Sequence, residues 1–379
     1  MKKVLFLVNH DVVIYNFRYE LVEALRNEGH EVFISSPKGE RIKLLQDIGC
    51  KFIETPVNRH GINPITDLKL LITYVKMIKE IKPDMVFAYT IKPNIYGGMA
   101  CAMTNTPYVV NITGLGTAVE NDGFLQKISV LLYKLAFSKV QKVFFQNEEN
   151  REFFIKKKIA VKKHGLIPGS GVNLKKFGYA DYPESDKVEF AFISRIMKEK
   201  GVDQYLDTAK AIKAEFPNTE FHVCGFCEEA YEETLKSLHR QGIINYHGMV
   251  SDVHGVIKNM HCIIHPTYYP EGISNVLLES CATGRPIITT DRSGCREVVD
   301  NGVNGFVVKQ KDSSDLIEKV RAFMNLSCEE RKEMGLAGRR KVEKEFDRQI
   351  VVDAYLAELH KHYKKDAIGN AEVKIGERV

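Results

Sequence analysis

Short runs of apolar residues alternate with segments of helical periodicity along almost the whole chain of 379 residues. This alternation is typical of βαβ units, whose parallel strands are covered on both faces and are therefore apolar throughout. One series of strands runs from Val4–Val8 to Leu166–Ile167, and a second runs from Val188–Ser194 to Gly305–Val308. Because the chain is too long for a single core of ordinary size, we predict an α/β protein with two Rossmann-like domains.

A turn-rich stretch at residues 165–177, with a Pro-Gly-Ser-Gly turn, separates the two series. We therefore predict an N-terminal domain at residues 1–175 and a C-terminal domain at residues 176–346. The remaining residues, 347–379, begin with a helix that carries an apolar stripe and needs a surface to pack on. We expect this helix to bridge back to the N-terminal domain and to be followed by a polar tail after Lys364.

Charge is distributed unevenly along the chain. Residues 1–175 carry 25 Lys and Arg against 16 Asp and Glu, a formal charge of +9, whereas the remaining residues carry −4 of the total of +5. A basic half suggests an anionic partner for the N-terminal domain, either a membrane surface or a phosphate-bearing acceptor. Ordinary solvated helix faces would give the same excess of lysine, and the sequence leaves both interpretations open.

The sequence favours a cytoplasmic location. No apolar run reaches the roughly 18 residues of a membrane span, and the first strand follows Met1 without a signal-peptide core. The eight cysteines are scattered through apolar patterns, as packed, reduced thiols are. We therefore expect no disulfide framework.

The densest group of polar residues after a predicted strand is PTYYPEGISNVLLE, residues 266–279. Ligands of open α/β sheets lie at the carboxyl ends of the strands. A helix that starts near Ser274 or Asn275 would direct its first N–H groups at a phosphate, which the helix dipole also favours. Glu271 and Glu279 would then flank one extended, polyhydroxylated ligand. A capping glutamate followed by a solvated one is an equally simple interpretation.

A second cluster, Arg195-Ile-Met-Lys-Glu-Lys200-Gly201, follows the first strand of the second domain. The Arg195 guanidinium can form two hydrogen bonds to phosphate oxygens, and Lys200 adds a point charge. Together they would neutralise a leaving diphosphate as its bond breaks. A basic solvated loop would have the same sequence.

The sequence Cys224-Gly225-Phe226-Cys227 ends another strand. Without a Cβ, Gly225 would let a nucleotide approach the backbone closely. The C-x-x-C spacing also fits a redox or zinc site, but it lies within a Rossmann series where neither is expected. His261 and His265 have no acidic partner nearby in sequence, so we interpret them as core or loop residues rather than metal ligands.

Taken together, these motifs resemble the retaining GT-B glycosyltransferases of the family-4 type. Four features match in order: Ser194-Arg195 with Lys200-Gly201, the strand-end Gly225, His247-Gly248-Met249-Val250, and Glu271-Gly272-Ile-Ser-Asn-Val-Leu-Leu-Glu279 with Ala282-Thr283-Gly284-Arg285-Pro286. The resemblance implies a GT-B fold, two Rossmann-like domains that face each other across a cleft. It also implies transfer of a hexose or N-acetylhexosamine from a nucleotide diphosphate sugar, most commonly a UDP-sugar, with retention of the anomeric configuration.

The resemblance implies roles for individual residues of the second half. Arg195 and Lys200 would bind the donor diphosphate, and with Glu271, which would bind hydroxyls of the transferred sugar, they form the expected catalytic group. Glu279 would bind the ribose. The other expected donor-binding residues are Gly225, Phe226, Met249 and Val250 near the base, and Gly272, Ile273, Ser274 and Asn275 around the sugar and distal phosphate. No metal and no other cofactor is expected.

The first half resembles the subgroup that builds bacterial surface polysaccharides and lipid-linked oligosaccharides, through the segments Thr90–Gly97 and Asn111–Gly116. The resemblance implies an acceptor that is a saccharide, in particular one linked to undecaprenyl diphosphate, as in capsule, O-antigen, exopolysaccharide or glycan assembly. It implies no nucleic-acid partner. The expected acceptor or sugar pocket comprises Asn16, Tyr89, Lys92, Asn94, Thr113 and Gly114.

The sequence departs from this subgroup at two places. Related enzymes often carry a histidine in the loop at residues 111–114, and this chain has none there, so we assign no general base. The usual Gly-Gly after the first strand is replaced by His10–Phe17, which leaves the acceptor loop unassigned.

Residues 124–142, FLQKISVLLYKLAFSKVQK, place apolar side chains beside four lysines, and Lys156–Lys158 and Lys162–Lys163 follow. An amphipathic basic face of this kind can lie on anionic lipid headgroups. A core helix with a solvated rim has the same pattern. If the face binds lipid, we expect a peripheral enzyme on the inner face of the cytoplasmic membrane.

Three other functions share parts of this pattern. An NAD-dependent dehydrogenase would have a Gly-x-Gly-x-x-Gly motif after the first strand, and residues 9–17 contain no glycine. A sugar-nucleotide epimerase could share the architecture, but it needs an acid–base pair acting on the sugar, and no such pair is evident. A non-catalytic nucleotide-sugar binding protein stays open as well, since a fold can persist without its activity.

Overall fold

The computed structural model describes residues 1–58, 63–114 and 123–376, except for the side chains of residues 364–376. The chain divides into two compact units. Unit 1 consists of Met1–Ser170 together with the chain from Arg348 onward, and unit 2 is Gly171–Asp347. The boundaries expected from the sequence follow residues 175 and 346.

Unit 1 is built on a parallel sheet. Its strands are β1 Lys3–Leu7, β2 Glu31–Ser36, β3 Lys51–Glu54, β4 Met85–Tyr89, β5 Tyr108–Ile112, β6 Lys142–Phe145 and β7 His164–Leu166. They are hydrogen-bonded in the order β3-β2-β1-β4-β5-β6-β7. Every residue of β4 and β5 is buried, which is why these strands are almost entirely apolar, with Asn111 as the polar exception.

Helices cover the sheet of unit 1. They are α1 Asp11–Phe17, α2 Tyr19–Asn27, α3 Ile42–Asp47, α4 Pro64–Ile81, a π-helical turn at Pro93–Gly97, α5 Gly98–Thr104, α6 Phe124–Ala136 and α7 Glu148–Lys156. The helix α4 has clear start and stop signals. Asn63 caps it by accepting from the N–H groups of Ile65 and Thr66, and Lys82 ends it in the left-handed conformation.

The last helix of the chain, α14 Arg348–Gly376, belongs to unit 1. Its apolar stripe enters the core on one face of the sheet, where Val351, Val352, Tyr355 and Leu359 are buried. The backbone is helical as far as Gly376, so the helix continues into the polar segment predicted after Lys364.

Unit 2 is a second parallel sheet. Its strands are β8 Val188–Ile193, β9 Thr219–Cys224, β10 Asn245–Gly248, β11 Cys262–His265, β12 Ile287–Thr290 and β13 Gly305–Val308, in the order β10-β9-β8-β11-β12-β13. Its helices are α8 Val202–Glu215, α9 Glu232–Arg240, α10 Val253–Ile257, α11 Asn275–Ala282, α12 Ser313–Met324 and α13 Cys328–Glu345. The predicted pair of Rossmann-like, parallel-sheet domains is confirmed.

Candidate functional site

Three loops converge at the carboxyl edge of the unit 2 sheet, the edge at which its parallel strands end. The loop after β8 is joined to the loop after β9 by hydrogen bonds from the Ser194 N–H to the Cys224 carbonyl at 3.0 Å and from the Ile196 N–H to the Phe226 carbonyl at 2.9 Å. The same loop reaches the one after β11, where the Tyr268 N–H donates to the Glu199 carbonyl at 2.9 Å. Residues far apart in sequence therefore share one surface, as expected for open α/β sheets.

Two glycines permit this close approach. A Cβ on Gly201, whose φ is +79°, would lie 2.1 Å from the Pro266 carbonyl oxygen. A Cβ on Gly225, whose φ is +151°, would lie 1.7 Å from the Ser194 carbonyl oxygen. Because backbone atoms already stand where each Cβ would be, packing between loops by itself requires glycine at position 225, whether or not a nucleotide approaches it.

The aromatic ring of Tyr269 brings the two predicted phosphate-binding cations together. The Arg195 guanidinium lies 5.3 Å from the ring centroid, and the Lys200 ammonium lies 4.9 Å from it. Both distances are within the range of cation–π interactions. Sequence analysis overlooked Tyr269, although its position in the loop between β11 and Glu271 was a usable signal.

The buried Lys200 ammonium contacts the Glu271 carboxylate, so the structure pairs two of the three predicted catalytic residues. Burial lowers the pKa of Lys200 to about 7, and the neighbouring Arg195 charge acts in the same direction. The Glu271 carboxylate opposes this change because it stabilises the ammonium form. The charge of Lys200 is therefore set by a balance of nearby groups.

His265, at the end of β11, lies beneath this pair. Its Nε2 is 3.9 Å from the Glu271 carboxylate, and neither ring nitrogen has a hydrogen-bond partner among the described residues. Burial and the Lys200 charge hold the pKa of His265 well below its usual range, so the imidazole is neutral. It was interpreted from sequence as a core or loop residue, and it is a core residue that borders the site.

Arg195 is paired with Glu228, at 2.5 Å between Nη1 and a carboxylate oxygen. Glu228 comes from the loop after β9 and is held there because its N–H donates to the Ile196 carbonyl at 3.0 Å. Sequence analysis missed this residue. Only the pairing of the two loops places it beside Arg195.

The segment from Gly272 to Asn275 leads into α11, with Ser274 at the N-cap position. The Ser274 side chain makes no capping hydrogen bond, and its N–H donates to the Gly294 carbonyl at 2.8 Å. The expectation that the Ser274 N–H is free for a phosphate is therefore wrong for this structure, because the loop after β12 already accepts it. The side-chain oxygen of Asn275 is buried without a hydrogen-bond partner among the described residues, and Gly272 and Ile273 are buried.

The remaining predicted donor-binding residues lie around this surface. Glu279 is half-buried in α11, one turn beyond the start of the helix. Phe226 and Met249, after the neighbouring strands β9 and β10, are 48% and 75% exposed, and Val250 is half-buried. Exposed apolar side chains at the ends of two adjacent strands provide a surface for a planar ring.

No group of three or more His, Cys, Asp or Glu side chains arranged to hold a metal ion occurs in the parts of the chain that the structure describes. All eight cysteines are free thiols. Burial raises the pKa of Cys224 to about 11 and also raises that of Cys227. A raised pKa disfavours the reactive thiolate.

In unit 1, two residues of the predicted acceptor pocket, Asn16 and Lys92, interact with charged side chains. Asn16, in α1, accepts a hydrogen bond from Arg41 at 3.0 Å. Lys92 forms an ion pair with the buried carboxylate of Asp67 at 2.8 Å, and the Tyr96 hydroxyl donates to the same carboxylate at 3.0 Å. The Lys92 charge is therefore largely compensated within unit 1.

Tyr89 and Asn94, which were predicted to belong to the acceptor or sugar pocket, are both buried. The Tyr89 ring is fully buried and packs on Phe6 and Tyr355. The Asn94 side chain is 1% exposed and donates to the Asn111 carbonyl at 2.8 Å. Strand ends that look accessible in sequence are closed off here by α14 and by the π-helical turn.

Thr113 and Gly114 follow β5 and are both half-buried. Gly114 has φ +151°. The last two residues of the motif Asn111–Gly116, Leu115 and Gly116, lie outside the described residues. The structure also reveals Thr90, a non-glycine residue with φ +69° whose hydroxyl is buried without a partner in the described part of the chain.

Two family models match the chain. The model described as glycosyl transferases group 1 matches residues 180–341, and the model described as glycosyl transferase 4-like matches residues 3–147. Together they match more than three quarters of the chain.

Several curated bacterial proteins are similar over nearly their whole length. The N,N'-diacetylbacillosaminyl-diphospho-undecaprenol alpha-1,3-N-acetylgalactosaminyltransferase of Campylobacter jejuni is 28% identical over 93% of this chain and 96% of its own. The capsular polysaccharide biosynthesis glycosyltransferase CapM of Staphylococcus aureus is 26% identical over 92% and 94%. The UDP-Gal:alpha-D-GlcNAc-diphosphoundecaprenol alpha-1,3-galactosyltransferase of Escherichia coli is 26% identical over 81% and 85%.

Solved structures show the same fold. A glycosyltransferase from Rickettsia africae superposes with a TM-score of 0.80 at 21% identity, over 96% of this chain and 99% of that one. Anabaena HepE in complex with UDP and glucose superposes with a TM-score of 0.77 at 17% identity, over 95% and 100%. The GT-B fold expected from the sequence is thereby confirmed.

Proposed function

Since the chain belongs to the glycosyltransferases that these two family models describe, we propose that it moves a hexose or N-acetylhexosamine from a nucleotide diphosphate sugar, in particular a UDP-sugar, to a saccharide acceptor linked to undecaprenyl diphosphate. The convergence of Arg195, Lys200 and Glu271 around Tyr269 carries this proposal. The acceptor class rests on the relatives, two of which are named for undecaprenol-linked substrates. Capsule, O-antigen or related glycan assembly is the corresponding process.

The donor diphosphate is proposed to bind beside the ring of Tyr269, between the side chains of Arg195 and Lys200. Each cation is paired with a carboxylate there, Arg195 with Glu228 and Lys200 with Glu271. A diphosphate offers several oxygens and more charge than either carboxylate, so it can bind both cations at once. Glu271 would then be released to accept hydrogen bonds from hydroxyls of the transferred sugar.

The nucleoside would extend from this point along the edge of the sheet. Phe226 and Met249 are proposed to contact the base, and Glu279 to accept hydrogen bonds from the ribose hydroxyls. Support for the base site comes from the exposure of both apolar side chains at the ends of β9 and β10.

Transfer is proposed to proceed with retention and without a metal. The bond from the anomeric carbon to the phosphate oxygen breaks, the acceptor oxygen bonds to that carbon on the same face, and the leaving phosphate takes the acceptor's proton. Negative charge grows on the diphosphate during this step, and Arg195 and Lys200 are proposed to stabilise it. They would supply the neutralisation that a metal ion provides in other transferases.

We propose that the N-terminal unit contacts anionic lipid at the inner face of the cytoplasmic membrane, where a lipid-linked acceptor would be found. Among the described residues, no helix is long and apolar enough to span a bilayer. Large apolar side chains are nevertheless exposed along α6, where Phe124 and Leu131 are 76% and 56% exposed, and along α4, at Ile65, Leu68 and Ile72. Lysines on the same helices would add attraction to anionic headgroups.

The test is a transfer assay with a panel of UDP- and GDP-sugars and a synthetic polyprenyl-diphosphate-linked saccharide, read by mass spectrometry. The expected product is the acceptor with one added sugar, formed equally with and without a chelator. Conversion of the donor sugar to its epimer without acceptor would indicate an epimerase instead. Tight donor binding with no turnover on any acceptor would indicate a binding protein.

A further inference from the structure

Unit 1 contains a cavity of about 500 Å³ at the amino edge of its sheet, the edge at which the strands begin. This is the edge opposite the one at which Rossmann-like sheets bind their substrates. Its lining includes five lysines, Lys139, Lys142, Lys162, Lys163 and Lys361, and one carboxylate, Glu358. None of these residues belongs to the proposed donor or acceptor sites.

The topology of the sheet brings these lysines together. The strands β5, β6 and β7 are neighbours, about 4.8 Å apart. Lys142 begins β6, and Lys163 immediately precedes β7 and accepts a backbone hydrogen bond from Val143 at 2.7 Å. Lys139 comes from the turn after α6, and Lys361 comes from α14. Three separate segments of the chain thus place ammonium groups around one cavity.

The positive charge of the cavity is mostly uncompensated. The Lys142 ammonium is 4.0 Å from the Glu358 carboxylate, and the Lys139 ammonium donates to the Asn105 side-chain oxygen at 2.5 Å. Within the part of the chain that the structure describes, Lys162, Lys163 and Lys361 form no ion pair with a carboxylate. Clustered like charges repel each other, and a bound anion would relieve that repulsion.

We propose that this cavity binds a ligand that carries two or more phosphate groups. Its volume lies in the range of small-molecule sites. Ammonium groups are compact, strongly hydrated charges suited to phosphate oxygens, and their arrangement on different sides of the cavity favours more than one phosphate over a single carboxylate. The ligand is either the phosphorylated headgroup of a lipid or a free polyphosphate.

Titration calorimetry with inorganic diphosphate tests the proposal. The variant K162A/K163A/K361A should lose at least tenfold in affinity, while K210A/K258A/K344A, which removes the same charge from exposed positions of unit 2, should keep it. Diphosphate can also bind at the proposed donor site, and the single variant Arg195→Ala should weaken that binding. Binding of diphosphate to the cavity should be unchanged in this variant. Glu358→Gln should bind diphosphate more tightly, a gain that impaired folding would not produce.

Equal affinity in wild type and K162A/K163A/K361A would overturn the proposal, as would an equal loss in the unit 2 control. Flotation with cardiolipin vesicles, whose headgroup carries two phosphates, separates the two sources. If the triple variant also loses vesicle binding and diphosphate competes with vesicles, the ligand is a lipid phosphate. If vesicle binding is unchanged while diphosphate binding is lost, the ligand is a free polyphosphate. Neither measurement depends on sugar transfer.

Discussion

Arg195 and Lys200 both contact the ring of Tyr269, yet their surroundings differ. Arg195 is half-buried and pairs with Glu228, whereas Lys200 is 7% exposed and pairs with Glu271. A guanidinium stays charged at any physiological pH, but a buried ammonium does not have to. The two residues should therefore respond differently to substitution and to pH.

Replacing Arg195 with alanine should lower turnover by more than it weakens donor binding. Its charge is needed most when negative charge grows on the leaving diphosphate, so the expected loss in kcat is roughly a hundredfold. Steady-state kinetics with a separate measurement of donor Kd distinguishes the two effects. Glu228→Gln is the matched control, because it removes the partner and leaves the cation in place. Unchanged turnover in Arg195→Ala would contradict the role.

Donor affinity should fall as pH rises above about 7, because Lys200 loses its proton with a pKa of about 7 and only the charged form attracts phosphate. A bound diphosphate favours the ammonium, so the apparent pKa in the complex should be higher. The donor Kd, measured from pH 6 to pH 9, should rise in wild type and stay flat in Lys200→Arg, whose guanidinium keeps its proton. A flat profile in wild type would remove Lys200 from the phosphate site.

The lowered pKa of Lys200 also predicts how the stability of the fold depends on pH. Stability should increase with pH, whereas donor affinity should decrease. Between about pH 7 and the ordinary lysine value near 10.5, the unfolded chain binds this proton and the folded chain does not. The contribution of Lys200 to the free energy of unfolding therefore increases with pH between these two values. Thermal melting without donor should show this rise in wild type and lose it in Lys200→Met.

At the residue scale, sequence analysis selected residues that the structure brings together, but it did not predict their partners. Arg195, Lys200 and Glu271 stand out because each follows a strand, and strand ends meet at one edge. Their partners depend on how loops from different strands touch. The Ser274 N–H was assigned to a ligand for the same reason, because nothing local shows that Gly294 comes within 2.8 Å of it.

At the scale of elements, α14 attaches to the sheet of unit 1 through a partly polar contact. The Tyr355 ring packs 5.0 Å from both Phe87 and Phe144, and its hydroxyl accepts a hydrogen bond from the Asn111 amide at 2.9 Å. Asn111 is fully buried, so no water can replace this acceptor easily.

Tyr355→Phe should destabilise unit 1 by about 1–3 kcal/mol, because the buried Asn111 amide loses its acceptor. Tyr355→Ala should cost more, about 3–5 kcal/mol, since it also leaves a cavity. Urea unfolding followed by circular dichroism measures both. Tyr179→Phe, at an exposed position of unit 2, is the control and should change nothing. Equal stability of Tyr355→Phe and wild type would mean that the hydrogen bond contributes nothing.

Strands were easier to predict than short helices. The buried strands β4 and β5 are easy to recognise in the sequence, because covering on both faces makes them almost entirely apolar. The helix α1 was missed, and His10–Phe17 was interpreted as a loop. Its cap is His10, which accepts from the Val12 N–H and is not among the residues that usually mark a helix start. A seven-residue helix also shows too little periodicity to be recognised.

At the scale of the whole molecule, unit 1 combines the excess of basic charge with exposed apolar side chains on α4 and α6. If this unit meets lipid, flotation with liposomes should require anionic lipid and weaken as salt increases. Replacing Phe124 and Leu131 with serine should reduce flotation severalfold without changing solution stability, because both side chains are exposed. Binding that does not depend on salt, or no binding at all, would contradict the membrane proposal.

Because α14 belongs to unit 1, the two units can complete their folding at different stages of synthesis on the ribosome. Unit 1 begins at Met1, but four side chains of its core, at Val351, Val352, Tyr355 and Leu359, are synthesised only after all of unit 2. Unit 2 is one continuous stretch and can fold as soon as it emerges. Part of an apolar face of unit 1 therefore stays uncovered until unit 2 and α14 have been synthesised.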